Sequence, residues 1–121
     1  MTRIAALDPA RARLVNTLAK IRGDFLDGLF PLVNELDYQK EALRSPANVP
    51  SAIESIQKIA HKLSGLAGSV GFSEMGACAA EIDIATSRLR QRTVRQADLD
   101  ELDGQVDKLL DHMEAALDEA L

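Results

Sequence analysis

The chain has little of several residue types, and each shortage excludes a class of function. It has one cysteine and no tryptophan among 121 residues, and aromatic residues make up 3% of it. A single cysteine excludes an internal disulfide framework and a multi-cysteine metal site. The shortage of aromatic side chains argues against a base-stacking platform for nucleic acid. The N-terminal region lacks the apolar core of a signal peptide, and no run of about 18 uncharged apolar residues is present to span a membrane.

Charge and hydrophobic content fit one small soluble domain. Lysine plus arginine is 14 and aspartate plus glutamate is 19, for a net charge of −5, whereas DNA or RNA requires a basic face. Hydrophobic residues make up 46% of the chain, which is enough for one compact core and too much for a disordered tail. We expect a single domain over residues 1–121. With no paired cysteines and no signal segment, its expected location is the cytoplasm.

Helix-start signals and apolar spacing predict an all-α chain. The dipeptide Asp8-Pro9 places an N-cap residue before a proline suited to the first helical position. Capping-box patterns at Ser51 and Thr93 open two later helices, and Pro31 predicts a kink or a join within the second helix. The expected helices cover about residues 9–20, 24–43, 51–68, 73–90 and 93–120.

Several long helices joined by short connections are typical of a helical bundle. We therefore expect an antiparallel, up-and-down four-helix bundle over about residues 24–120, with an additional N-terminal helix over about residues 9–20. The chain has no strand-like alternation of any length and no internal repeat.

The third helix carries the most informative histidine. At 100° per residue its apolar side chains gather on one side, and His61 lies roughly 150° from the centre of that side. We therefore expect His61 to face solvent, with Gln57 and Lys58 as neighbours on its own face. The apolar residues are Ile53, Ile56, Ile59, Ala60, Leu63, Ala67 and Val70.

Two glycines beside His61 indicate that the imidazole is presented to a partner. Gly65 and Gly68 lie one and two turns along the same face, and each costs a helix about 1 kcal/mol relative to alanine. Their missing side chains leave room for another protein to approach. Close packing of a neighbouring helix is the competing explanation, and the position of both glycines opposite the apolar stripe counts against it.

The chemistry open to His61 is limited by what surrounds it. A neutral imidazole is a nucleophile that can accept an acyl or phosphoryl group. A hydrolase would need a further nucleophile or an orienting carboxylate in a cleft, and the chain has no G-x-S-x-G motif. A metal site would need more ligands, whereas His112 is the only other histidine. A phosphoacceptor needs only exposure, docking room and cationic neighbours, which Lys58 and Lys62 can provide.

The stretch from His61 to Phe72, HKLSGLAGSVGF, resembles the phosphoacceptor motif of histidine-containing phosphotransfer (HPt) domains. That motif reads roughly H-x-L-K-G-[SA]-[SA]-x-x-[hydrophobic]-G. The matching residues are His61, Leu63, Gly65, Ala67, Val70 and Gly71. The resemblance implies a four-helix bundle with a further N-terminal helix, in agreement with the helices predicted from the chain itself.

The resemblance also implies a function and partners. His61 would accept a phosphoryl group at Nε2 from a receiver-domain aspartate and pass it to another receiver. The implied partners are response-regulator receiver domains and a hybrid sensor kinase. The receiver would supply Mg²⁺, and this domain would bind no cofactor or metal, have no kinase activity of its own and act as a monomer.

The chain departs from the family pattern at two positions. Ser64 stands where the family usually has lysine, so Lys58 or Lys62 would balance the phosphate charge. Asp83, on the following helix, stands where the family often has glutamine or glutamate bonded to the imidazole, and it would orient His61 if the two helices pack closely. The expected supporting residues are Lys58, Lys62, Ser64, Gly65 and Asp83, and the expected docking residues are Gln57, Gly68, Ser69 and Phe72.

Two other hypotheses stay open. A bundle adaptor of the same shape would bind a receiver or a sensor kinase without accepting phosphate, as the departure at Ser64 allows. A metal-binding bundle is the third hypothesis. Of the remaining candidates, Cys78 is expected to be buried and inert, and His112 to have a structural role or none.

Overall fold

A computed structural model describes residues 8–121 as four α-helices and two short 3₁₀ turns. Helix α1 spans Pro9–Ala42, α2 spans Val49–Leu66, α3 spans Ser73–Leu89 and α4 spans Gln96–Ala120. The 3₁₀ turns Pro46–Asn48 and Gly68–Val70 precede and follow α2. Residues 8–121 contain no strand, so the all-α prediction is confirmed. None of the four helices is apolar over a stretch long enough to cross a membrane.

The first two predicted helices form one continuous helix, α1. The expected break after residue 20 is absent, because Gly23 weakens a helix without ending it and a contact holds α1 beside that glycine. Arg22 donates a hydrogen bond from Nη1 to the carbonyl oxygen of Val70 at 3.1 Å. Pro31 also lies inside the helix and is exposed. The separate helix predicted over residues 9–20 is therefore corrected to the first part of α1.

Two helices begin at residues other than those the capping patterns predict. The helix α2 starts ahead of the predicted capping box, and the Ser51 hydroxyl donates to the carbonyl oxygen of Asn48 at 3.1 Å. The helix α4 starts three residues after Thr93. Its N-cap residue is Arg95, and the third residue of the helix, Asp98, accepts the backbone N–H of Arg95 at Oδ2 over 2.9 Å. A carboxylate in the first turn thus replaces the predicted threonine.

The predicted apolar face of α2 lies at the centre of the core. Six of its seven residues are buried, whereas Val70 is half-buried because it lies in the 3₁₀ turn beyond α2. All four helices contribute to the core. The buried face of α2 packs in this core, which fixes the position of its opposite, exposed face. The largest fully buried hydrophobic side chains are Leu29, Leu36, Ile56, Leu63, Met75, Ile82, Leu102, Val106, Leu109 and Met113.

Helix α2 packs most extensively against α3. A Cβ atom built on Gly76 of α3 would lie 3.3 Å from the backbone nitrogen of Gly68, so the absence of a side chain at Gly76 permits the close approach. Thr86, the one buried polar residue in the described part of the chain, donates its hydroxyl to the carbonyl oxygen of Ile82 within α3 at 2.7 Å. The interface therefore stays apolar inside, and the exposed faces of α2 and α3 lie side by side.

Candidate functional site

His61 lies on the exposed face of α2, as its angular position predicts. The histidine side chain is 79% exposed, while Ala60 and Leu63 on the opposite face are buried. The imidazole is therefore accessible to another protein, and the core holds the helix that carries it.

Asp83 of α3 contacts the imidazole directly. His61 Nδ1 lies 2.9 Å from Asp83 Oδ2, and the Asp83 side chain is 24% exposed. A neutral imidazole in this contact donates its Nδ1–H to the carboxylate, which leaves the ring's lone pair on Nε2. The expected approach of the two side chains is present, and Nε2 is the nitrogen available to a partner.

Three further side chains lie behind Asp83. Gln57 Nε2 donates to Asp83 Oδ1 at 3.4 Å and to Ser87 Oγ at 2.5 Å. Arg90 Nη1 donates in turn to Gln57 Oε1 at 2.7 Å. A chain of hydrogen bonds thus runs from Arg90 to the imidazole and holds the carboxylate in place between α2 and α3.

Sequence reasoning placed Gln57 among the docking residues and missed Ser87 and Arg90. The Gln57 side chain is half-buried, and its amide is engaged with α3, so the structure assigns it to the support of the imidazole. Asp83, Ser87 and Arg90 follow each other at spacings of four and three residues, which places them on one face of α3. That spacing is visible in the sequence, but the residue of α2 that meets this face depends on the register between the helices.

Lys58 and Lys62 are exposed on either side of His61 along α2. Lys58 Nζ lies 3.2 Å from Glu54 Oε1. An exposed ion pair of this kind contributes about 0–1 kcal/mol, so it does not fix the position of the Lys58 ammonium group. Both lysine side chains therefore lie in solvent on α2 near His61.

On the face of α2 that carries His61, the positions one and two turns further along are glycines, while Leu66, on another face of the last turn, is 45% exposed. A Cβ atom built on Gly65 or on Gly68 meets nothing within 4 Å, so neither position is closed by a neighbouring helix. Ser64 and Ser69 each donate the hydroxyl to the carbonyl oxygen three residues earlier, at 2.8 and 2.7 Å. Both hydroxyls are thus engaged with backbone, and the positions that follow His61 on its own face are open to solvent.

Phe72, the last residue of the connection from α2 to α3, is half-buried and packs against α1, and its expected part in docking stays a prediction. Its ring stacks on Phe25 with centroids 5.6 Å apart, and the Arg22 guanidinium lies 4.4 Å from its centroid. The preceding residue, Gly71, has φ 96°, a left-handed conformation that favours glycine. The glycine that ends the motif therefore turns the chain so that Phe72 can join α1.

The two remaining candidates differ in burial from the histidine site. His112 is half-buried on α4 beside Phe72 and Met75. Cys78 is half-buried and not fully buried as predicted, and its burial raises the pKa of its thiol, which favours the unreactive protonated form. Residues 8–121 contain no group of three histidine, cysteine, aspartate or glutamate side chains that could hold a metal ion.

The fold and the site define a helical-bundle protein that presents an imidazole on an open surface, oriented by a carboxylate from the next helix. The family model for the Hpt domain matches residues 20–119. That match covers most of the chain, and the chain belongs to the Hpt domain family. Hpt domains are phosphocarrier modules that interact with receiver domains and kinases in two-component phosphorelays. Searches of curated proteins and of solved structures returned no significant match.

Proposed function

We propose that this chain relays a phosphoryl group between receiver-domain aspartates as a phosphohistidine at Nε2 of His61. The contact between His61 and Asp83 carries the proposal, because a 2.9 Å bond at Nδ1 leaves Nε2 as the nucleophilic atom of an exposed side chain. Membership of the Hpt domain family supports the same role.

The transfer requires no proton to leave the imidazole. The Nε2 lone pair attacks the phosphorus of the receiver's aspartyl phosphate. The N–P bond forms as the P–O bond to the aspartyl group breaks, and the receiver's carboxylate is released. The ring keeps its Nδ1–H and becomes positively charged, so the Asp83 carboxylate faces a cation. The same steps in reverse deliver the phosphoryl group to another receiver.

The partner brings the rest of the reaction. We expect the receiver to hold Mg²⁺ and to supply most of the transition-state stabilisation, so this chain would need neither a cofactor nor a kinase activity. The open surface at Gly65 and Gly68 gives the receiver room to bring its aspartate to His61. A hybrid sensor kinase that carries a receiver is the expected donor, and the cytoplasm is the expected compartment.

We also infer that the four helices run alternately up and down. Arg22 in the first half of α1 contacts Val70 just after the end of α2, while residues 43–48 connect the C-terminal end of α1 to the N-terminal end of α2. Connections of similar length, residues 67–72 and 90–95, join the later helices. Such short connections favour antiparallel neighbours.

The proposal is tested by transfer of labelled phosphoryl group from a phosphorylated receiver domain to the purified chain. We expect the wild type to be labelled and His61→Gln to lose essentially all label, because the variant has no nucleophilic nitrogen at this position. The matched control is His112→Gln, which removes the other histidine and should be labelled like the wild type. The adduct should be labile in acid and stable in alkali, as an N–P bond is.

Two results would contradict a phosphocarrier function. The first is label that persists in His61→Gln. The second is a wild type that no receiver labels, in a panel that includes the receivers of the same organism.

An adaptor that binds receivers without accepting phosphate is the second candidate. It is favoured by Ser64, which stands where the resemblance implies lysine and whose hydroxyl is bonded to backbone. Equilibrium binding to a receiver separates the two functions. An adaptor would bind His61→Gln and the wild type with the same affinity and would not be labelled by any receiver.

A further inference from the structure

Arg90, the C-cap residue of α3, lies at the far end of the hydrogen bonds that support Asp83. The two residues are seven positions apart, or about 10 Å along a helix, and Gln57 of α2 bridges them. Arg90 Nη1 bonds to Gln57 Oε1 at 2.7 Å, and Gln57 Nε2 bonds to Asp83. Among residues 8–121, His61 is the one group that forms an ion pair with Asp83. Arg90 therefore acts on the carboxylate through Gln57 and does not neutralise it by direct contact.

The side-chain amide of Gln57 has two possible orientations, which differ by exchange of its oxygen and its nitrogen. In the structure the two N–H groups face Asp83 and Ser87, and the oxygen faces Arg90. A flipped amide would place its oxygen against the Asp83 carboxylate and its N–H groups against the guanidinium. Acceptor would then meet acceptor and donor would meet donor, so one orientation satisfies both neighbours.

Arg90 is the neighbour that fixes this orientation most strongly. A guanidinium donates hydrogen bonds and never accepts them, so it bonds only to the amide oxygen. The Ser87 hydroxyl both donates and accepts and would tolerate either orientation. The bond from Gln57 to Asp83 is 3.4 Å long and therefore weak, whereas a hydrogen bond from a charged donor at 2.7 Å is strong.

The orientation of the amide determines where the Asp83 carboxylate points. The Gln57 nitrogen bonds to Oδ1, and Oδ2 is then directed at His61 Nδ1, 2.9 Å away. An amide oxygen in the same place would repel Oδ1 and turn the carboxylate away from the ring. In a neutral imidazole the proton lies on the nitrogen that has the acceptor, so the carboxylate keeps the proton on Nδ1.

We propose that Arg90 is a positioning residue that acts through Gln57 and Asp83 to keep the proton of neutral His61 on Nδ1. Its effect on phosphoryl transfer rests on the proposed function, in which the lone pair of Nε2 attacks the phosphorus. Its effect on the ring itself does not, because the proton position is a property of the free protein.

Nitrogen NMR of the histidine rings measures the proton position directly. Spectra are recorded at about pH 9, where an ordinary histidine side chain is neutral, and His112 serves as a reference in the same sample. We expect wild-type His61 to carry its proton mainly on Nδ1. Arg90→Leu should shift the proton toward Nε2, which an unpartnered histidine prefers. Arg90→Lys should restore part of the wild-type signal, since lysine also only donates.

The matched control is Arg88→Leu. Arg88 is also exposed and lies two residues before Arg90, about 200° away around the helix. Its replacement removes the same charge from the same region of the surface and should leave the His61 spectrum unchanged. An equal shift in the two leucine variants would reduce the effect to surface charge and overturn the proposal.

Gln57→Glu separates positioning from packing. The variant keeps the size of the side chain and gives Arg90 a charged acceptor, but it has no N–H to donate to Asp83. We expect it to move the His61 proton toward Nε2 further than Arg90→Leu does, because the new carboxylate repels Asp83. A wild-type spectrum in Gln57→Glu would show that Gln57 only fills space between α2 and α3, and it would overturn the proposal.

Transfer from a phosphorylated receiver tests the consequence for the reaction. Arg90→Leu should slow labelling by about threefold, the effect of one ordinary hydrogen bond, with unchanged receiver affinity. If Arg90→Leu instead weakens receiver binding and leaves the ring spectrum unchanged, Arg90 contacts the receiver and the proposal is wrong. The spectra need no receiver, so the role of Arg90 and the phosphocarrier function can fail independently.

Discussion

At the scale of single residues, Asp83 determines which nitrogen of His61 is free and which charge faces the imidazole. The resemblance to HPt domains implies a glutamine or a glutamate at this position, and aspartate has the shorter side chain. It still reaches His61 Nδ1 at 2.9 Å, because Gly76 lets α3 approach the end of α2 closely. A full negative charge thus faces the imidazole. In the proposed function the ring becomes cationic on phosphorylation, so we expect this charge to favour the phosphorylated state.

Replacing Asp83 by asparagine should slow phosphoryl transfer from a receiver by about tenfold. Asparagine can still accept the Nδ1–H, but a hydrogen bond to a charged group contributes about 1.5–3 kcal/mol against about 1 kcal/mol for a neutral pair, and 1.4 kcal/mol is a factor of ten in rate. The initial rate of labelling measures the loss, and receiver affinity should not change.

Two further variants separate positioning by Asp83 from a merely structural role. Gln57→Leu should slow the transfer less than Asp83→Asn, since it removes only the residue that holds the carboxylate. Asp83→Glu should restore more activity than Asp83→Asn, because it returns the charge. Equal rates for Asp83→Asn and the wild type would show that the charge contributes nothing to the transfer.

The sequence predicts only part of this site. The exposure of His61 follows from the periodicity of α2, and Asp83 follows from the motif resemblance. Gln57 and Arg90 could not be assigned to the imidazole, because their bonds join α2 to α3 and depend on the register between two helices. Periodicity within one helix carries no information about that register.

At the scale of elements, the start of α4 depends on one carboxylate. The Arg92 guanidinium bonds both oxygens of Asp98 at 2.8 and 2.9 Å, and the Arg95 backbone N–H donates to it as well. These bonds hold the pKa of Asp98 well below its usual range. The cap and the ion pair thus use the same carboxylate.

Asp98→Asn should lower the stability of the fold at neutral pH, and the difference from the wild type should shrink in acid. A carboxylate whose pKa is lower in the folded state stabilises the fold fully above its unfolded value of about 3.9, and this contribution is lost as the pH falls toward the folded value. Thermal unfolding at a series of pH values from about 7 to 2 measures it. Glu114→Gln, an exposed acid on the same helix, is the control and should show no such trend; a pH-independent difference for Asp98→Asn would contradict this assignment.

Helix boundaries were the weakest part of the sequence prediction. The sequence predicts separate helices over about residues 9–20 and 24–43, yet α1 is continuous because tertiary contacts such as Arg22 with Val70 outweigh the low helix propensity of Gly23. The start of α4 was placed at Thr93 because threonine and glutamine match a capping box. The helix is capped instead by a capping box between Arg95, two residues after Thr93, and Asp98. The additional bonds from Arg92 to the Asp98 carboxylate favour this later start of α4.

At the scale of the whole molecule, stability comes from the buried faces and is separate from the surface that carries His61. Ile56 is fully buried at the centre of α2. Ile56→Ala should therefore reduce the free energy of unfolding by about 2–5 kcal/mol, through lost burial and the cavity left behind. Ile84→Ala, at a position 54% exposed, should change it by no more than about 0.5 kcal/mol.

Denaturant unfolding of both alanine variants provides the measurement. Where Ile56→Ala still folds, it should accept phosphate at the wild-type rate, because the imidazole and its carboxylate lie on the other side of α2. Similar losses for the two variants would mean that the packing of α2 differs from the structure described above.

The continuity of α1 has a consequence for hydrogen exchange along it. Residues 9–22 are all exposed, whereas Leu29 and Leu36 of the same helix are fully buried. A helical segment without buried side chains opens at little cost in free energy, while a segment packed in the core opens only when the fold does. The amide hydrogens of this one unbroken helix should therefore exchange quickly near its start and slowly from Leu29 onward.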